Sequence, residues 1–217
     1  MNLQAYVITI LSNEHSVASA TRTIESGKKH GVEVQTYNAN TPENTNLDEY
    51  FAENNIPPVH FVEKFSRLEN CMAAFSSHHS LWKKCAEGKD AFLILEHDAY
   101  FVDSLPKTLF GHVVNLGKPS YGNYRTPMLI GENPLTSKAY LGGAHAYMVT
   151  PFGASLLLNR AQVDAGPTDL FIHTDRFPGL IKEYFPWPVE ARDTFTTIQT
   201  EVGCVAKHNY NEQYQII

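Results

Sequence analysis

The sequence predicts an α/β domain with a mixed, mainly parallel central sheet flanked by helices. Three stretches carry that expectation. The chain opens strand, helix, strand; Ala91–Leu95 (AFLIL) is an unbroken apolar run of central-strand type; and residues 142–158 pass from a strand directly into a helix. At 217 residues the chain suits one domain, 1–217, large enough to bury a full core without disulfides or a structural metal.

Gln4–Leu11 (QAYVITIL) is short, β-branched and aromatic, the pattern of a buried strand. Ser12-Asn13-Glu14 opens a helix with Val17, Ala20 and Ile24 expected on its inner face and Gly31 as its stop. Val32–Tyr37 alternates as a second strand, and residues 38–58, rich in Asn, Glu and Pro, read as an irregular surface excursion near the site. Ser66–Glu87 is the best helix, because Cys71, Phe75, His78, Trp82 and Cys85 recur on one face before Gly88 ends it. After the apolar strand and a turn-rich stretch from Gly117 to Pro134 come the strand ending at Val149 and a helix with Pro151 in its first turn. The last third holds Pro167-Thr168-Asp169, a proline-rich stretch from Phe185 to Pro188, and a polar tail.

Composition excludes several classes. Lys and Arg number 17 against 23 Asp and Glu, a net charge of −6, so no basic surplus exists to neutralise nucleic-acid phosphates. No apolar run approaches the roughly 20 residues that span a bilayer, and Met1–Ser12 lacks the basic region and cleavage site of a signal peptide. Cys71, Cys85 and Cys204 form no CxxC pair and read as small buried residues of a reducing compartment, which makes the cytoplasm the expected location. No glycine triplet follows the first strand, which argues against a dinucleotide-dependent dehydrogenase.

The chemistry-bearing feature is Glu96-x-Asp98, where the apolar strand stops abruptly at two carboxylates. In open α/β sheets ligands bind beyond the carboxyl ends of the strands. Alternation points Glu96 and Asp98 to one side and His97 to the other, and two converging carboxylates call for a compensating proton or a hard divalent cation. The alternative is a strand end with solvated carboxylates.

Four blocks, in order, resemble glycosyltransferase family 25, the lipooligosaccharide galactosyltransferases and their collagen-modifying relatives. AYVITI is similar to that family's first strand. Residues 70–78 (NCMAAFSSH) resemble its Gly-Cys-x-x-Ser-His helix with a longer spacing between Cys and His. FLILEHDA resembles its Ile-x-Glu-Asp-Asp-Ala strand, with His97 in place of the middle acid. Gly143, Tyr147, Gly153, Ala154 and Leu157 match its Gly-x-x-x-Tyr-x-x-x-x-x-Gly-Ala-x-x-Leu block. Pro167-Thr168-Asp169 and Thr197-Ile198 are similar to its Pro-x-Asp and Ser-Ile.

The resemblance implies a GT-A-like nucleotide-sugar-binding fold and inverting, metal-dependent transfer of a hexose, with galactose expected, from a UDP-sugar to an oligosaccharide or lipooligosaccharide acceptor. A cytoplasmic enzyme of this kind would work free or peripheral to the membrane face that displays glycolipid acceptors. Mn2+ or Mg2+ on Glu96 and Asp98, with His97 as a substitute ligand, would neutralise the leaving diphosphate. One carboxylate must take the acceptor proton; Asp169 is the candidate, with a helix N-cap as its alternative role, and Asp98 is the second catalytic carboxylate. Thr9, Ser12, Asn13, Arg22, Glu96 and Tyr147 are the candidate donor-binding residues, and Arg22 is equally compatible with a solvated helix position. His78 and His145 read either as core histidines or as braces behind the acidic strand, and His208 as a surface or late metal-ligating residue. Trp82 reads as core; Tyr147 and an exposed Trp187 are candidates to stack on sugar. Two other classes stay open: an inactive relative that binds nucleotide or glycan, for which His97 speaks, and a carboxylate-metal phosphohydrolase.

Overall fold

The computed structural model describes residues 2–62, 67–142, 144–193 and 197–198; Gly143, Cys204 and His208 lie outside them. A seven-stranded mixed sheet forms the centre, in the order β2-β1-β3-β7-β5-β8-β6. Its members are β1 (Leu3–Thr9), β2 (Val34–Asn38), β3 (Ala91–Glu96), β5 (Val113–Asn115), β6 (Gly131–Pro134), β7 (Ala146–Val149) and β8 (Ile181–Phe185). β1 pairs in parallel with both β2 and β3, and β5 with β8, whereas β7 and β6 run antiparallel to their neighbours. The carboxyl ends of β1, β2, β3, β5 and β8 therefore share one edge. A two-stranded ladder of β4 (Ala99–Phe101) and β9 (Val189–Ala191) stands beside the sheet.

Strand alternation divides the core in two. Tyr6, Ile8, Phe92, Ile94, Tyr147 and Val149 face α3 (Leu68–Glu87), α4 (Pro151–Asp164) and α2 (Leu47–Glu53). Ala5, Val7, Leu93, Leu95, Ala146 and Met148 face α1 (Glu14–Lys29) and the β4–β9 ladder. All five residues of the expected α3 stripe, Cys71, Phe75, His78, Trp82 and Cys85, are buried.

The α1 face differs from the expectation. Its buried residues are Ser16, Ser19, Ala20, Thr23, Ser26 and Gly27, while Val17 is exposed and Ile24 only partly buried. Small side chains win there because the helix lies close to β4: Thr23 Oγ1 donates to the carbonyls of His97 and Ala99, and a Cβ on Gly27 would press on Phe101 and Val34. Asn13 caps α1 by accepting from the Ser16 amide.

The excursion at 38–58 is not wholly irregular. Asn46 caps α2, and Leu47 and Phe51, spaced i and i+4, drop into the core. Trp187, expected exposed, is buried in edge-to-face contact with Phe185 and Tyr124, because β9 begins two residues later and ties the stretch to β4. On β8 the fully buried Glu183 accepts from the Thr136 amide (2.6 Å), the Thr136 hydroxyl (3.0 Å) and the Ser137 amide (2.9 Å), fastening the loop after β6 to the sheet. Among the described residues no helix is long and apolar enough to cross a membrane.

Thr150 caps α4, Pro151 opens it, and Gly153 lies against backbone: an added Cβ would collide with the His112 carbonyl. Gly153→Ala should therefore destabilise the protein by about 1–3 kcal/mol, the usual cost of overpacking, read as a lower urea midpoint at unchanged slope.

Candidate functional site

A cavity of about 770 Å³ opens at the shared carboxyl edge of the parallel strands, where a doubly packed sheet offers loop backbone and strand ends to a ligand. One bank comprises Ile8, Ile10, Ser12 and Asn13 after β1, the 39–43 segment after β2, and the first half of α3. The floor is Glu96, His97 and Asp98; Ser120, Tyr121 and Tyr140 line the cavity beyond β3, and residues 167–170 border it where Phe171 packs on Phe75 and Trp82 of α3.

Glu96 shares its strand parity with Phe92 and Ile94, so it faces α3, and there it meets His78. A chain of hydrogen bonds stands behind that contact. Trp82 Nε1 donates to Tyr147 Oη at 2.8 Å, and Tyr147 Oη and His78 Nδ1 are hydrogen-bonded at 2.9 Å. On the other side of the ring, His78 Nε2 and Glu96 Oε1 are hydrogen-bonded at 3.2 Å. Burial pushes His78 down to about 3, against a smaller upward pull from Asp169, so the imidazole is neutral and the contact is a hydrogen bond, not an ion pair.

The carboxyl groups are crowded. Burial raises Glu96 to about 8. Asp98 lies well above the usual carboxylate range, first through burial and then through the charges of Glu96 and Asp193. Asp169 rises to about 7, chiefly by burial, with Glu96 adding to it. Asp98 Oδ1 is buried and has no hydrogen-bond partner. An acceptor oxygen left bare in an acidic cleft calls for a proton or a cation.

The turn that carries Asp98 is held from behind. Thr23 bonds the carbonyls on either side of it, and Arg192 N donates to the Asp98 carbonyl at 3.0 Å. His97 lines the cavity, with Nδ1 3.4 Å from Ser16 Oγ of α1. Asp169 lies in the first turn of α5 (Thr168–Phe171); Pro167 occupies the cap position, so the N-cap role is not observed. Its Oδ1 accepts from the Leu170 amide at 2.9 Å.

Ser12, Asn13, Glu96, His97, Asp98 and Asp169 thus border one cavity. Three expected donor-binding residues do not. Thr9 belongs to the α1 face of β1, is buried, and donates its hydroxyl to the Val7 carbonyl. Arg22 is paired with Asp193 on the far side of the 97–99 turn. Tyr147 is fully buried behind His78 and presents no surface to the cavity. Conversely, Asn40, Arg67, Tyr121 and Tyr140 line the cavity unexpectedly. They lie in a polar excursion, at a helix start and in a turn-rich stretch, none of which carries a period that marks an inner face.

The donor set suits a hard cation in part. Glu96 and Asp98 supply oxygen ligands at one strand end, one of them orphaned, but no three His, Cys, Asp or Glu side chains among the described residues group as a metal cage. Mg2+-type sites commonly take one or two carboxylates and complete their shell with substrate phosphates and water, so the pair fits a cation delivered with a diphosphate.

No family model matches the sequence, and no curated protein matches it. The resemblance to glycosyltransferase family 25 accordingly rests on the order of the motifs alone.

The raised carboxyls fix a sign. A carboxyl whose folded-state value exceeds its unfolded one contributes stability at low pH that is lost as pH rises through the folded value. Without divalent cations the melting temperature should fall between pH about 4 and about 8, and Glu96→Gln should flatten that slope in scanning calorimetry. Tyr147→Phe leaves the Trp82 N–H and His78 Nδ1 unpaired in the core. It should lower unfolding free energy by about 1–3 kcal/mol in chemical denaturation.

Proposed function

We propose that this chain is a metal-dependent glycosyltransferase that moves a hexose, galactose by resemblance, from a UDP-sugar to a hydroxyl of a glycan acceptor with inversion. The observation that carries the proposal is the carboxylate pair Glu96 and Asp98 at the carboxyl end of β3, with Asp98 Oδ1 unpartnered, lining a cavity that a third carboxyl, Asp169, also lines. The mixed sheet with parallel β1, β2 and β3 opening onto that cavity supports a GT-A-like reading.

The division of labour follows from position. Ser12, Asn13 and Asn40 lie at the ends of β1 and β2, the side where a nucleoside binds a parallel sheet. Glu96 and Asp98 would hold the divalent ion, which supplies charge neutralisation to the departing diphosphate. The Trp82–Tyr147–His78 chain keeps Glu96 oriented through the hydrogen bond between Oε1 and His78 Nε2. Asp169, with Oδ1 held by the Leu170 amide, offers Oδ2 to the acceptor hydroxyl. As the acceptor oxygen bonds to the sugar's anomeric carbon, its proton passes to Asp169 and the bond to the diphosphate oxygen breaks, releasing UDP. A carboxyl raised to about 7 is a base matched to neutral pH.

UDP with Mn2+ should raise the melting temperature, by about 2.7 kcal/mol of stabilisation at a hundredfold excess over Kd, and EDTA should remove the gain. A shift with adenine or nicotinamide nucleotides and none with UDP would reject the proposal. Asp98→Asn should weaken UDP–Mn2+ binding in calorimetry. Asp169→Asn should leave it nearly unchanged while turnover falls about 10²- to 10⁴-fold. Nucleotide binding without turnover on any acceptor would mark a binding protein.

A further inference from the structure

Tyr121 and Tyr140 form a paired aromatic wall of the cavity. Their ring centroids are 6.4 Å apart at an interplanar angle of 32°. The ammonium of Lys138 sits 5.5 Å from one centroid and 5.1 Å from the other and donates to the Asn123 carbonyl at 3.0 Å, so both rings are braced from one side. Tyr140 is also stacked on His173, 6.2 Å away at 20°, and joined to it by a β-bridge. That bridge places Tyr140 beside the segment that has just left α5 and Asp169. Tyr121 Oη is buried without a hydrogen-bond partner.

We propose that Tyr121 and Tyr140 are the acceptor subsite, a platform on which the ring of a neutral pyranose packs while one of its hydroxyls reaches Asp169. This rests on the glycosyl-transfer reading and adds to it where the acceptor lies and what holds it. A pyranose presents a face of C–H groups, apolar and slightly positive, which suits the negative face of a phenol. A nucleobase would also stack on tyrosine, but Tyr121 follows β5, which β3 and β7 separate from β1 and β2 in the sheet. Tyr140 is bridged to His173, four residues beyond Asp169, the group that must receive the acceptor proton, and Tyr140 and Asp169 both line the cavity. Lys138 acts through the two rings and is a positioning residue.

The test uses the full chain saturated with UDP and Mn2+, with methyl β-glycosides of glucose, galactose and N-acetylglucosamine as probes in saturation-transfer NMR titrations. At least one glycoside should receive saturation at its C–H protons. Tyr140→Leu and Tyr121→Leu should each weaken it about three- to tenfold, the worth of an aromatic contact, whereas Tyr140→Phe should bind as the parent does. UDP–Mn2+ affinity by calorimetry should stay the same in all three variants, which also reports that they fold. The proposal is overturned if no glycoside binds the parent, if binding survives both leucine substitutions, or if those substitutions weaken UDP instead. The last result would give the wall to the nucleobase. Loss of the platform with UDP binding intact leaves the donor reading standing. A parent chain that binds a glycoside on these tyrosines but never binds UDP keeps the platform and ends the transferase reading.

Discussion

The hydrogen bond between His78 Nε2 and Glu96 Oε1 ties the middle of α3 to the end of β3, and what lies behind it decides what the cleft can hold. Trp82 Nε1 donates to Tyr147 Oη, which is hydrogen-bonded to His78 Nδ1, so both imidazole nitrogens are engaged, one by the buried phenol and one by the carboxyl. Burial keeps that imidazole neutral. The ring orients Glu96 without adding positive charge, and Glu96, raised to about 8, keeps its own proton at neutral pH until a cation in the cavity displaces it. An arginine in place of His78 would neutralise the site internally and leave nothing for a cation or a diphosphate-bound metal to do.

The same economy appears beneath the 97–99 turn. α1 approaches through serines, threonine, alanine and glycine, and the gain is a helix close enough for one hydroxyl, Thr23 Oγ1, to bridge two carbonyls of the turn. Larger apolar residues on that face would bury more surface but hold the helix away, and Asp98 would ride on an unsupported loop. The geometry of the carboxylates is thus set from both faces of the sheet: by a buried aromatic chain on one and by a close-packed polar helix on the other.

Much of this was legible in the chain and some was not. The run AFLIL ending in Glu96 and Asp98 announced both a central strand and the cleft edge, because an apolar strand that stops at charge has few other places to stop. The stripe through Phe75, His78 and Trp82 announced the helix that faces it. Alternation placed Glu96 but was not carried back to β1, where the same rule puts Ile8 toward the cavity and Thr9 away from it. Arg22 and Tyr147 have the chemistry of donor-binding residues, but tertiary partners that no local pattern encodes, Asp193 and Trp82, claim them instead. Tyr121 and Tyr140 come from a stretch without periodicity, where only long-range contacts decide which side chain looks inward.

Glu183 gives the cleft one further property. By accepting from two consecutive backbone amides and a hydroxyl, it anchors the start of the segment that leads to Tyr140, and the Leu141 amide anchors the end by donating to the Ile172 carbonyl at 3.2 Å. A loop fastened at both ends has surrendered its conformational entropy when the chain folded. A ligand that arrives there meets a preorganised wall, so its binding free energy is not spent on ordering the protein and its capture is limited by encounter rather than by loop closure.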